Sequence, residues 1–164
     1  MSDQPDTLEE STEKYDINVD PDKPTREELS PHDLILEDLM NVFLGLNDEH
    51  VGASVGITLS FAGTVVSGLM ITRPEFQKRL ADLIAPSSTV VAEGLTQLWE
   101  RRETAAQAFA KGREDANLPN FRRNYIHLMN AQVENGSEVL RDGLWRGRLS
   151  EVSGWILGNY SPSQ

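Results

Sequence analysis

Trp145-Arg146-Gly147-Arg148 is the run in this chain best equipped for recognition chemistry. An aromatic ring beside two guanidinium groups can stack on a planar ligand or hold an anion. Arg122, Arg123 and Tyr125 repeat the same combination upstream. These six residues form the candidate interaction set: Trp145, Arg146, Arg148, Tyr125, Arg122 and Arg123. The competing reading places Trp145 at a strand edge, packed on the core with its arginines exposed. It is favoured because burying an aromatic ring is a large stabilising term.

Other reactive residue types are present without a constellation around them. Asp48-Glu49-His50 offers hard and borderline metal ligands. It falls between a helix and a strand, where a solvated turn is expected. His127 alternates with apolar neighbours, so a packed or hydrogen-bonded histidine is expected rather than a general base. His32, His50 and His127 are far apart in sequence. Glu100-Arg101-Arg102-Glu103 reads as the wet face of a helix with local ion pairs of little energetic weight. The chain has no cysteine, which excludes disulfides, thiolate metal sites and cysteine nucleophiles. Phosphate-loop, dinucleotide, zinc-protease and nucleophile-elbow patterns are missing. No catalytic, cofactor-binding or metal residue is assigned, and a non-enzymatic protein is expected.

Charge narrows the partners. The net charge is −11 over 164 residues. Residues 1–32 hold ten acids and three bases, so −7 of that charge lies in the first fifth of the chain. An acidic field repels phosphate backbones and makes nucleic acid an unfavoured partner, although a local basic patch is compatible with it. Residues 1–29 are rich in Asp, Glu, Pro and Ser and poor in apolar groups, which predicts a disordered acidic tail. Its role is solubilising, or alternatively it tethers a basic partner. The start, Met1-Ser2-Asp3-Gln4-Pro5, lacks the basic and apolar segments of a signal peptide. No stretch approaches the roughly 20 apolar residues that span a bilayer. A cytoplasmic location is expected.

The elements that would position the six residues follow from periodicity. Ser30-Pro31-His32-Asp33 reads as a helix start, with Ser30 as the cap. Leu34, Ile35, Leu39, Val42, Phe43 and Leu46 then recur at helical spacing and predict one buried face, with the helix ending near Asn47. Val55, Ile57, Leu59 and Phe61 alternate with small polar residues, as in a half-buried strand. Ala62-Gly63 is a turn into a second strand, Thr64 to Thr72. Gly68 within it marks a bend or a close backbone approach. Thr72-Arg73-Pro74-Glu75 has capping-box spacing before a second helix. A longer helix is predicted over Thr89 to Arg113, with Val91, Leu95, Leu98, Arg102, Ala105 and Phe109 along one side. Arg123 to Val133 reads as a strand, Asn135-Gly136 as a turn, and Gly143 to Gly158 as two short strands.

The strands resemble the Sm-like small β-barrel. Ile57-Thr58-Leu59-Ser60-Phe61-Ala62-Gly63-Thr64-Val65-Val66-Ser67-Gly68-Leu69-Met70 looks like the first Sm motif, with Gly63 and Gly68 at matching spacing. Ile126-His127-Leu128-Met129-Asn130-Ala131 looks like the end of that motif. Arg146-Gly147 is similar to the second. The resemblance implies an α+β fold: a small antiparallel β-barrel with an N-terminal helix and a helical insertion, residues 73–121, between strands two and three. The domain is placed at 30–160, with a C-terminal tail at 161–164. Asn124-Tyr125 stands where RNA-binding Sm-like proteins carry Met-Asn, and of the RNA-contacting pattern only Arg146-Gly147 is matched.

The chain also resembles the gas vesicle accessory protein U family. The segments that carry this are Val55 to Leu59, Val65 to Gly68, Tyr125 to Leu128, Leu144 to Ser150 and Val152 to Gly158. That resemblance implies a non-enzymatic accessory role in gas vesicle assembly or clustering, with gas vesicle proteins as partners. Exposed barrel edge strands predict self-association into a homo-oligomer, and no cofactor is expected. The alternative is an Sm-like RNA-binding regulator using the arginines and Tyr125.

Overall fold

The computed structural model describes residues 33–119, 122–135 and 138–159, together with Val19 and Pro21. The expected disordered tail over 1–29, the cap at Ser30 and the tail at 161–164 otherwise lie outside the described residues.

Alternation and turn chemistry build the sheet. β1 (Ser54–Phe61) and β2 (Thr64–Ile71) pair antiparallel from Phe61↔Thr64 to Ser54↔Ile71. Their two-residue turn places Ala62 and Gly63 at φ +49° and +83°. A two-residue hairpin loop with positive φ at both positions matches the twist of the flanking strands. β3 (Tyr125–Asn135) pairs with β2, and β4 (Glu138–Arg148) pairs with β3. A single 3-10 turn, Leu149–Glu151, leads into β5 (Val152–Leu157), which returns to β1. The strand order is β4-β3-β2-β1-β5.

This is an α+β fold with a five-stranded antiparallel sheet, and two helices stand between β2 and β3 as the sequence predicts. The closed barrel is not formed. β4 and β5 are the two ends of an open sheet. β4 also starts at Glu138, earlier than the predicted Gly143. Its first residues, Glu138-Val139-Leu140-Arg141-Asp142, mix apolar and polar types, and Leu140 is exposed at this sheet edge.

Gly68 behaves as expected. A Cβ there would lie 3.0 Å from the Met129 carbonyl oxygen and 3.2 Å from Ala131 Cα. The β2–β3 register slips at this point, between Ser67 and Leu69. A missing side chain lets the two backbones approach where the strand bends.

One face of the sheet carries the core. Ile57, Leu59, Val66, Met70, Ile126 and Leu128 are buried there. α1 (Leu34–Leu44) covers them with Leu36, Met40 and Leu44, each 1% exposed. These are the i, i+4, i+8 positions, one row on a helix. The predicted buried face was different. Leu34, Ile35, Val42, Phe43 and Leu46 are exposed, and of that set only Leu39 packs against the core. The helix therefore has two adjacent apolar stripes, and the sheet covers one. The helix also stops three residues before Asn47. Gly45, at φ +83°, ends it. Its N-cap is Asp33, whose Oδ1 accepts from the Ile35 and Leu36 amides. Asp33 Oδ2 accepts from Trp155 Nε1 at 2.7 Å, so the cap also ties α1 to β5. That indole bond, with the two amides, holds the Asp33 carboxyl below its usual range.

The opposite face is roofed by α2 (Arg73–Ile84) and α3 (Thr89–Asp115). Thr72 caps α2 by accepting from the Glu75 amide. The Glu75 carboxylate turns to Arg79 Nε at 2.7 Å, so half of the predicted capping box forms. α3 departs from the predicted face. Its inward stripe is Ala92, Leu95, Trp99 and Glu103, whereas Val91, Leu98, Arg102, Ala105 and Phe109 are exposed. It packs chiefly on α2.

Candidate functional site

Pleating sorts the predicted residues onto two faces. In β4, Trp145 and Gly147 point to the core face, opposite Leu128 and Ile126. Arg146 and Arg148 point to the other face, opposite His127 and Tyr125. Trp145 is packed: its ring meets Phe61 edge-on, with centroids 4.9 Å apart. Gly147 is required by that pair. A Cβ there would lie 2.7 Å from Phe61 Cε2 and closer still to the Trp145 ring.

On the far face, Arg146 lies over the Tyr125 ring, 3.5 Å from its centroid. Such stacking orients a guanidinium without neutralising it. His127 sits opposite Arg146 in the sheet, two residues along β3 from Tyr125, and packs on Phe76, with ring centroids 4.8 Å apart. Burial first, and then the charges of Arg146, Arg73 and Arg123 in that order, together lower its pKa to about 4. The imidazole is neutral at pH 7, as expected for a packed histidine.

Arg123 is engaged within the chain. Its Nε donates to Asn41 Oδ1 at 3.0 Å and its guanidinium pairs with Asp48 Oδ1 at 2.6 Å. It also donates to the Gly45 carbonyl at the end of α1, which accepts from the Asp48 amide as well. The Asp48-Glu49-His50 run disperses. Asp48 faces Arg123, Glu49 Oε2 accepts from the Asn47 amide, and His50 Nδ1 lies 3.1 Å from the Phe43 carbonyl.

A cleft of about 570 Å³ opens between the C-terminal half of α3 and this outer face. Six cationic side chains line it, among them Arg122, Arg123 and Arg146, against three carboxylates, Asp48, Glu103 and Glu114. Four of the six predicted residues thus share one cavity: Arg122, Arg123, Tyr125 and Arg146. Trp145 and Arg148 do not line it. Arg73 and Arg113 were missed. Neither adjoins an aromatic in sequence: Arg73 stands in a cap and Arg113 at a helix end, so no local run marks them.

A family model described as gas vesicle protein GvpU-like matches residues 36–160. The chain belongs to that family. The match runs from the buried Leu36 of α1 past the end of β5, so it takes in every strand and the cleft, and the predicted resemblance to the gas vesicle accessory protein U family stands. The acidic segment before Asp33 lies outside it. No curated protein and no solved structure is matched. Among the described residues, no helix is long and apolar enough to cross a membrane.

Proposed function

We propose that this GvpU-like chain works on gas vesicle assemblies by binding protein surfaces, its own included, and without catalysis. The observation that supports this reading is the outward stripe of α1. Ile35 and Val42 are 70% and 73% exposed, and Leu46 just beyond the helix is 66% exposed. Ile35 and Val42 stand at i and i+7, on one side of the helix axis. The apolar arc of α1 spans about half its circumference, wider than a single packed face needs. A contiguous apolar strip left in water favours a protein partner. The open sheet adds two strand edges, β4 and β5, where another chain can pair.

The test is the double variant Ile35→Asp, Val42→Asp. Neither side chain enters the core, so circular dichroism should match wild type. Light scattering after gel filtration should fall from an oligomer to the 18.3 kDa of one chain. Co-flotation with purified gas vesicles should be lost. A folded variant that keeps both its mass and its flotation would remove this reading.

A further inference from the structure

We propose that the cleft between α3 and the β3–β4 face binds a compact polyphosphate group. The cleft concentrates cationic groups in a chain of net charge −11. Two of its carboxylates are already matched: Asp48 by Arg123, and Glu103 by Arg73. Arg122 and Arg146 have no carboxylate within ion-pair distance among the described residues. Arg146 is also preorganised, on a strand and stacked on Tyr125. Arginine suits phosphate because its planar fork donates two parallel hydrogen bonds to one anion. Arg73 adds a second sign. It lines the same cleft, and its Nε is buried without an acceptor. A buried donor left unmatched is costly, and a phosphate oxygen is the kind of acceptor that would satisfy it. The depressed pKa of His127 registers the same positive field from Arg146, Arg73 and Arg123.

Size and range select the ligand class. A cavity of this volume falls within the roughly 300–1,000 Å³ of small-molecule sites. The field of exposed charges decays over about 8 Å at physiological salt. A compact anion seated in the cleft is governed by the local arginines. A long polyanion must also lie across the acidic remainder of the surface, which repels it. The shared chemistry is therefore a di- or triphosphate, whether inorganic or carried by a nucleoside.

Titration calorimetry on the full chain tests this with inorganic tripolyphosphate, ATP and a set of single-stranded RNAs of increasing length. Tripolyphosphate should bind and raise the melting temperature. Arg146→Gln combined with Arg122→Gln should weaken it by roughly tenfold or more, as expected when charged hydrogen bonds are lost. Arg148→Gln, on the same face of β4 but outside the cleft, should leave binding within about twofold, because only screened long-range charge is removed. ATP binding as well as tripolyphosphate supports the site and assigns recognition to the phosphates. Tighter ATP binding supports it too and adds a contact to the base. No binding of either probe by wild type would overturn the proposal. So would equal binding by the double variant, or RNA affinity that grows with length and exceeds that of tripolyphosphate.

Discussion

At the scale of single residues, His127 gives the clearest prediction. Its pKa is near 4 in the folded chain and 6.5 when unperturbed. The unfolded chain takes up the proton first as pH falls. The neutral packed state therefore contributes fully above pH 6.5, and that contribution is lost progressively toward pH 4. The difference integrates to about 3 kcal/mol at the acid end. Urea melts of wild type and His127→Phe should diverge over this window, with the variant losing less stability on acidification. Parallel curves would mean that the imidazole does not resist protonation. Sequence alternation alone placed His127 in a packed strand. The field it senses was not legible, because Arg73 reaches it only through folding. Trp145 and Arg146 show the same limit from the other side. Neighbours in sequence, they are separated by the pleat, one into the core with Phe61 and one into the cleft.

At the scale of elements, Arg123 joins the start of β3 to the end of α1. It supplies a cation and several donors where the last carbonyls of a helix lack intrahelical partners. Arg123→Gln should cost roughly 3 kcal/mol, because it leaves a largely buried Asp48 carboxylate without its partner. Arg123→Lys should recover only part of that, since a point charge cannot span Asn41, Gly45 and Asp48 together. Chemical denaturation of the two variants measures both effects, and an unchanged midpoint in Arg123→Gln would show the clamp to be idle. Strand positions were readable because a period of two leaves one choice of face. Helix faces were harder. α1 carries two apolar rows, and only the shape of the sheet decides that Leu36, Met40 and Leu44 turn inward. α3 was read along its apolar residues, yet its packed row includes Glu103, held by Arg73. β4 starts earlier than its pattern predicts because Glu138-Val139-Leu140-Arg141-Asp142 lacks the strict alternation that marks a strand.

At the scale of the whole molecule, the two proposed activities respond oppositely to salt. Chains of net charge −11 repel one another, and salt screens that repulsion. Self-association through α1 should therefore strengthen as sodium chloride rises, whereas anion binding in the arginine cleft should weaken. Sedimentation and calorimetry along one salt series check both; the same sign for the two would show that one surface serves both events. α3 carries a further consequence. It is 27 residues long, about 40 Å, and is held mainly along one stripe against α2. The sheet beneath it is stitched by four antiparallel strand pairings and the α1 core. The two walls of the cleft thus belong to regions of unequal local stability. α3 can part from the sheet at a free energy below that of global unfolding. Its amides would then exchange with solvent ahead of those in β2 and β3. The protein has, in effect, a stiff floor and a compliant wall, and a ligand that bridges them would be felt first as slowed exchange along α3.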